Sequence, residues 1–122
     1  MIRISRLTDY ATVILAALAC DPAERLTASE IAQRTRIGVA TVSKLLKQLH
    51  RAGLVNSSRG VRGGYQLARA PNAISAAAIL DALEGPVALT DCSVAEGRCQ
   101  IERSCRVGRS WQRVNLAIRR SL

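Results

Sequence analysis

The sequence predicts a mainly α-helical fold, in which a winged helix-turn-helix is followed by a C-terminal dimerisation helix. Hydrophobic residues make up 48% of the 122-residue chain, but they include only two Tyr, one Trp and no Phe. An aliphatic core of this kind is typical of packed helices. Apolar residues recur at helical spacing in several segments, and a glycine-rich segment separates two short strand-like stretches. The length allows one hydrophobic core, to which any further segment must be attached.

Three helices are predicted in the N-terminal half of the chain. Apolar spacing predicts the first helix over residues 7–20. The sequence TASE at residues 27–30 has the form of a capping box, which predicts a second helix over residues 28–34. A tight turn at residues 37–39 precedes a third helix that extends to Ala52.

The third helix has two unlike faces, and a hairpin follows it. At 100° per residue the apolar face contains Val39, Val42, Leu45, Leu46 and Leu49. The opposite face contains Ala40, Ser43, Lys44, Lys47 and Arg51. Strands are predicted at residues 54–56 and 65–67, joined by the glycine-rich residues 59–64. Residues 1–70 are therefore predicted to form the winged helix-turn-helix region.

Residues 71–122 are predicted to form a second region. A helix is expected over residues 74–83, with Ser75 near its N-cap. Residues 86–108 have no period and hold three of the four cysteines, so we expect a functional sensor loop there. A final helix begins near Trp111 and reaches the end of the chain without a stop signal. We expect a dimerisation helix that is shortened relative to the natural protein.

The charge distribution points to nucleic acid as the partner. The net charge is +9, and no acidic residue lies between Glu30 and Asp81. That interval carries eight basic residues: Arg34, Arg36, Lys44, Lys47, Arg51, Arg59, Arg62 and Arg69. A basic block of this kind attracts a polyanion and releases its counterions on binding. The alternatives are a solvated basic surface or an interaction module that binds an acidic protein.

We expect the DNA contacts to come from the second and third predicted helices and from the hairpin. The start of the third helix is placed for base edges in the major groove, through Ala40, Thr41, Ser43 and Lys44. Later residues of that helix are placed for phosphates, namely Lys47 and Arg51. Arg59 and Arg62 on the hairpin would enter the minor groove or hold the backbone. Thr27 and Ser29 either only cap the second helix or also bind a phosphate there.

The cysteines need a separate explanation. Cys92, Cys99 and Cys105 have the spacing Cys-x6-Cys-x5-Cys, without the Cys-x2-Cys pair or nearby His of common zinc sites. Thiolates suit an iron–sulfur cluster, while a thiol redox switch and a structural role remain open. Cys20 is predicted to be an inert core residue of the first helix, and His50 a partly exposed polar residue rather than a metal ligand.

Four stretches carry a family resemblance along nearly the whole chain. They are LTDYA at residues 7–11, LHRAGLV at 49–55, RGVRGGY at 59–65 and ILDALEG at 79–85. In these the sequence resembles the Rrf2 family of bacterial transcription regulators, which includes IscR-like and NsrR-like iron–sulfur repressors. The opening and the cysteine spacing look most like regulators of the SUF cluster-assembly system.

The resemblance implies a homodimer with paired final helices on a pseudo-palindromic operator of double-stranded DNA. It also implies one cluster per subunit, held by Cys92, Cys99 and Cys105. IscR-like members have a histidine ligand where this chain has Gly108. The opening resembles NsrR-like members, so the partner subunit's Asp9 becomes the candidate fourth ligand; without the resemblance, Asp9 would simply satisfy the helix dipole. We expect a 2Fe-2S cluster first and a 4Fe-4S cluster second, with an apo form also compatible.

The expected function is an iron–sulfur cluster-sensing, DNA-binding transcription regulator that represses SUF-type cluster-assembly genes. The nearest alternative is a cluster-free regulator that senses redox state through disulfide formation. The sequence has no nucleophile with a paired base, no carboxylate pair and no phosphate loop, so we do not expect an enzyme. We find no membrane span or signal peptide in the sequence, and expect a cytoplasmic protein.

Overall fold

The computed structural model describes residues 3–95 and 97–122. In this part of the chain it contains six α-helices and one two-stranded antiparallel sheet. The elements in order are α1 (Arg6–Ala19), α2 (Ala28–Thr35), α3 (Val39–Arg51), β1 (Val55–Ser58), β2 (Gly64–Leu67), α4 (Ala76–Leu83), α5 (Asp91–Val94) and α6 (Gly108–Ser121). The mainly α-helical, winged fold class is confirmed.

Side-chain caps explain where α1, α2 and α4 begin. The predicted capping box is present at α2: the Glu30 N–H donates to Thr27 Oγ1 at 3.2 Å, and the Thr27 N–H donates to Glu30 Oε2 at 2.7 Å. That main-chain donor also lowers the pKa of the Glu30 carboxyl below its usual value. Ser75 caps α4 as predicted. Ser5 caps α1, so this helix begins at Arg6, one residue before the start that the apolar pattern predicted.

The core lies between α1, α2, α3, α4 and the hairpin, and it is aliphatic throughout. Its buried members are Ala11, Ile14, Leu15, Leu18, Leu26, Ile31, Ile37, Val42, Leu45, Leu46, Leu49, Leu54, Val55, Leu67 and Ile79. Four of these come from the predicted apolar face of α3 and are 0% exposed. Val39, which was predicted on the same face, is 50% exposed because it begins the helix and projects beyond the core.

Cys20 was also predicted to be a core residue, and this was wrong. It lies at the C-cap of α1, is exposed, and its Sγ lies 3.4 Å from the carbonyl oxygen of Ala16. The apolar sequence continues to Cys20, but α1 ends at Ala19 and the chain turns away from the core there.

The hairpin is attached to the helical core through Leu26. Leu26 and Tyr65 exchange main-chain hydrogen bonds of 3.0 and 2.7 Å, beside the β1–β2 register in which Val55 pairs with Leu67. Gly64 makes this approach possible: its φ is +139°, and a Cβ there would lie 2.8 Å from the Leu26 carbonyl. The hairpin is therefore held in a fixed position beside α3.

The segment predicted to be aperiodic, residues 86–108, contains the short helix α5 and a 3-10 turn, Glu102–Ser104. α6 begins at Gly108, three residues before the predicted Trp111. Neither of the two short elements is long enough to produce a period in the sequence. None of the helices in the described residues is sufficiently long and apolar to cross a membrane.

Candidate DNA-binding surface and cysteine loop

The helix-turn-helix presents the predicted contact residues on its outer side. α2 ends in a tight turn in which Arg36 has the left-handed φ of +59°, and α3 starts two residues after Ile37. On α3 the exposed predicted residues are Ala40, Lys44, Lys47 and Arg51, while Thr41 and Ser43 are half-buried. Burial of the opposite face fixes the direction in which this face points, as a recognition helix requires.

The hairpin tip carries two exposed arginines beside α3. Arg59 and Arg62 are exposed, and Val61 between them is fully exposed. The turn is closed by the Gly63 N–H, which donates to the Gly60 carbonyl at 2.9 Å. A Cβ at Gly63 would lie 2.5 Å from the Ser58 carbonyl oxygen, so a side chain there would open the turn. The glycines therefore set the position of both arginines.

A cavity of about 200 Å³ separates the end of α3 from the hairpin. It is lined by Lys47, His50, Arg51, Ser57 and Tyr65. The sequence analysis assigned Lys47 and Arg51 to DNA contact, but it did not place His50, Ser57 or Tyr65 beside them. His50 belongs to the LHRAGLV stretch and Tyr65 to the RGVRGGY stretch, and nothing in the sequence alone places these two stretches side by side. The register of the hairpin brings them together.

The positive charge of this surface is not neutralised within the described part of the chain. The ion pairs found there are Arg34 with Glu24 at 3.0 Å and Arg119 with Asp81. Neither pair includes the five basic residues of the surface, which are Lys44, Lys47, Arg51, Arg59 and Arg62. At the N-terminus of α2, Thr27 and Ser29 are exposed, with the Thr27 hydroxyl already occupied by the capping bond. The surface thus keeps its charge for an anionic partner.

The cysteine loop is folded around Glu102. Its N–H donates to the Cys99 carbonyl at 3.2 Å, its carbonyl accepts from the Cys105 N–H at 3.3 Å, and its Oε2 accepts from the Gly97 N–H at 2.8 Å. Cys92 lies on α5, where its Sγ is 3.2 Å from Thr90 Oγ1. All three loop cysteines are half-buried free thiols.

The loop thiols line two neighbouring cavities. One, of about 670 Å³, contains Cys92 and Cys105 together with Gly108, Arg109 and Gln112. The other, of about 500 Å³, contains Cys99, Gly97 and Gln100. Glu102 and Arg103 line both. The described residues include no group of three metal-ligating side chains already close enough to hold one ion.

These residues fit an iron–sulfur cluster in donor chemistry. Thiolates are its usual ligands, and the first cavity is large, polar and lined by two of them. The third thiol, Cys99, lies in the second cavity, so ligation by all three thiols requires the loop to rearrange.

The sequence as a whole decides the family. The model of the Rrf2 family, described as iron-dependent transcriptional regulator, matches residues 4–122. This chain belongs to the Rrf2 family. As the sequence predicts, its relatives are named as transcription regulators and not as enzymes.

Curated Rrf2 relatives match the chain over different lengths. Protein rrf2 of Nitratidesulfovibrio vulgaris is 32% identical over 93% of this chain and 76% of its own length. IscR of Erwinia tasmaniensis, an HTH-type transcriptional regulator, is 34% identical over 69% of this chain and 50% of its own length. A Synechocystis protein named as an HTH-type transcriptional regulator is 59% identical over 44% of this chain and 37% of its own. The chain thus spans half or less of the length of several of these relatives.

Solved structures similar to this Rrf2 chain include a CymR and an IscR protein. CymR of B. subtilis, the global cysteine regulator, is 31% identical with a TM-score of 0.74, over 98% of this chain and 88% of that one. IscR of T. potens is 27% identical with a TM-score of 0.70, over 99% of this chain and 80% of that one. The fold is therefore shared along the cysteine loop as well as the winged helix.

α6 of this Rrf2 protein ties the cysteine loop to the rest of the chain, and sequence analysis missed the residues that do so. Asn115 is 8% exposed; its Oδ1 accepts from the Leu89 N–H at 2.9 Å and its Nδ2 donates to the Val87 carbonyl at 3.2 Å. Gln112 donates to the Cys92 carbonyl at 3.2 Å. The available signal for Asn115 was its place as the one polar residue in the apolar sequence VNLAI at residues 114–118.

α6 and the residue before it also carry exposed apolar side chains. Val107, just before the helix, and Trp111, Val114 and Leu116 within it are 45 to 57% exposed. Val107, Trp111 and Val114 follow the 4-and-3 spacing that gives one helical stripe. This stripe is what a paired helix would cover.

Asp9, the candidate partner ligand, is exposed on the first turn of α1 and is not among the residues that line either cysteine cavity. Its neighbour Thr8 is buried and donates to Glu84 Oε1, which also accepts from the Ser5 N–H. These hydrogen bonds from Ser5 and Thr8 lower the pKa of the Glu84 carboxyl below its usual value. The carboxylate that anchors the start of α1 is thus Glu84.

Proposed function

We propose that this Rrf2 protein is a DNA-binding transcription regulator whose affinity for its operator is set by an iron–sulfur cluster on the cysteine loop. The observation that carries the DNA-binding part is the surface of α3 and the hairpin, where five basic side chains lie outside the ion pairs of the described residues. A buried apolar face holds this surface in one orientation, which is what insertion of α3 into the major groove requires.

In this proposal each part of the surface has its own role. Ala40, Thr41, Ser43 and Lys44 contact base edges, because they lie at the start of α3. Lys47 and Arg51 contact phosphates, and Arg59 and Arg62 reach the minor groove or the backbone from the hairpin. Thr27 and Ser29 present the N-terminus of α2 to a phosphate.

The working unit in this proposal is a homodimer on a pseudo-palindromic operator. The support is the exposed apolar stripe of Val107, Trp111 and Val114 on α6, a surface that is costly to leave in water. Two copies paired through α6 present two α3 helices, and a two-fold dimer reads a two-fold operator.

Cys92, Cys99 and Cys105 would hold the cluster, with 2Fe-2S preferred over 4Fe-4S. When bound, the cluster supplies a redox-active centre that can be lost or oxidised. The residues of this chain carry that change to α6: Gln112 holds the Cys92 main chain, and Asn115 holds residues 87–89. Reordering of residues 86–108 therefore shifts the dimer between two populations that fit the operator differently. From the family resemblance, we infer repression of SUF-type cluster-assembly genes.

The first test is the visible absorption and the iron-to-protein ratio of anaerobically purified protein, compared with a Cys99→Ala variant. A coloured, iron-containing wild type that the substitution bleaches is the expected result. A colourless wild type that resists reconstitution with iron and sulfide would contradict the cluster.

The DNA-binding part is tested separately by electrophoretic shift with palindromic and scrambled duplexes. Lys44→Ala is expected to weaken operator binding about tenfold without loss of colour, since one base-edge contact is worth roughly 1–3 kcal/mol. Arg120→Ala removes the same charge from α6, away from this surface, and serves as the control. Equal binding of both duplexes would instead support an acidic-protein partner or non-specific attraction.

One observation favours a second candidate function, a thiol redox switch without a cluster. Cys92 and Cys105 line the same cavity, so a disulfide between them needs less movement of the loop than three-thiol ligation does. This regulator would be colourless, and mild oxidant would lower its mass by two hydrogens and change its DNA affinity. Cys105→Ser would abolish both effects.

A further inference from the structure

Glu102 occupies the centre of the cysteine loop. Its main chain bonds to both Cys99 and Cys105, at 3.2 and 3.3 Å, and the residue lines both cysteine cavities. Of its two carboxylate oxygens, Oε2 accepts from the Gly97 N–H at 2.8 Å. This bond holds the carboxylate within the cysteine loop.

Gly108 leaves a space beside one of these thiols. A Cβ built on Gly108 would lie 3.7 Å from Cys105 Sγ, so a side chain at this position would enter the cavity next to that thiol. Glycine supplies no donor there. Among the residues that the structure describes, the carboxylate that lines the same cavity belongs to Glu102.

We propose that Glu102 is the fourth cluster ligand and that it acts within its own subunit, completing the set of Cys92, Cys99 and Cys105. Carboxylate oxygen is an accepted iron ligand in proteins. The inference rests on the proposed cluster-sensing function. It is an alternative to the partner subunit's Asp9, the candidate ligand that the family resemblance implies.

Two further features of the site fit this assignment. Arg103 lines both cavities and Arg109 lines the first, so positive charge faces the place where thiolates, a carboxylate and a cluster would bring net negative charge. Glu102 also lines both cavities, so it lies beside Cys92 and Cys105 in the first and beside Cys99 in the second.

The competing explanation is that Glu102 only folds the loop through its bond to Gly97. Two substitutions separate these roles. Glu102→Gln keeps a side-chain oxygen that accepts from the Gly97 N–H but removes the anionic ligand, whereas Glu102→Ala removes both. Asp91→Asn is the matched control, because Asp91 is an exposed carboxylate next to Cys92 that does not line the first cavity.

The experiment uses full-length protein reconstituted anaerobically with ferrous iron and sulfide. The readouts are the visible and electron paramagnetic resonance spectra, and the rate at which a chelator removes iron. Glu102→Gln is expected to lose iron at least about tenfold faster than wild type and to have an altered spectrum. Asp91→Asn and Asp9→Asn are expected to match wild type, and circular dichroism checks folding.

Three results would overturn the assignment, and each has its own meaning. If Glu102→Gln retains iron and its spectrum while Glu102→Ala does not, Glu102 is a structural residue of the loop. If Asp9→Asn is the variant that loses iron, the ligand comes from α1. If wild type itself takes up no iron, the cluster-sensing function fails together with this ligand.

Discussion

Replacement of Asn115 by Ala is expected to release the cysteine loop from α6. Asn115 is buried, and its amide satisfies two main-chain groups at once, the N–H of Leu89 and the carbonyl of Val87. Both of those residues are half-buried, so water replaces the lost partners only incompletely. The substitution therefore acts on the segment that leads into Cys92, without altering any cysteine.

The magnitude follows from the two hydrogen bonds. Each neutral bond contributes about 1 kcal/mol net, and more where the group left behind is sealed from water. The expected loss in the free energy of unfolding is therefore roughly 2 kcal/mol. For a chain of 122 residues, this corresponds to a fall in Tm of about 6–10 °C, at about 3–5 °C per kcal/mol.

The assay is urea denaturation at a fixed protein concentration, since dimerisation also contributes to stability. Asn72→Ala is the control, because Asn72 is exposed and the chemical change is the same; it should shift stability by less than about 0.5 kcal/mol. In parallel, Cys92 should react faster with an alkylating agent in the Asn115→Ala protein. A stability loss equal to that of the control, with unchanged alkylation, would refute the role given to Asn115.

Two further predictions concern acid stability and the hairpin. Hydrogen bonds from Arg119 lower the pKa of Asp81, and hydrogen bonds from the start of α1 lower the pKa of Glu84. Both carboxylates therefore stabilise the fold at pH values above their ordinary pKa values, which are 3.8 for Asp81 and 4.5 for Glu84. This stability is lost as pH falls through the lowered values, and an Asp81→Asn, Glu84→Gln double variant should flatten the stability profile below about pH 5 in acid titration followed by circular dichroism. Gly64→Ala should cost roughly 3 kcal/mol in urea denaturation, because its φ is +139° and its Cβ would overlap the main chain. Gly38→Ala, with open space around its Cβ, should cost less than about 1 kcal/mol; similar losses in both would contradict this account.

The N-terminal elements could be predicted because local chemistry and tertiary packing agree there. The capping box at Thr27 and Glu30 starts α2 by itself, and the spacing of the α3 leucines matches the face that the core buries. The errors lie at helix ends. Cys20 and Val39 continue an apolar pattern, but each lies at the point where its helix leaves the core, which spacing alone does not reveal.

The candidate site was less predictable because its contacts join distant parts of the chain. Composition identified the basic surface and the cysteines. It could not show that Asn115 and Gln112 hold the loop, since both bonds depend on where α6 packs. Glu102 was also overlooked: one acidic residue among arginines is unremarkable until main-chain bonds place it between two cysteines.

Helix α4 provides a physical connection between α6, which holds the cysteine loop, and the winged helix-turn-helix. At its end, Glu84 accepts hydrogen bonds from the start of α1; one turn earlier, Asp81 pairs with Arg119 of α6. Ile79 belongs to the core that also buries the inner face of α3. A shift of α6 that follows reordering of the cysteine loop must therefore strain α4, and α4 cannot move without disturbing α1 or the packing beneath α3. In a close-packed core such a disturbance favours one of two arrangements rather than fading gradually. In the proposed mechanism, this is how the cysteine loop would control the fit of α3 to the operator.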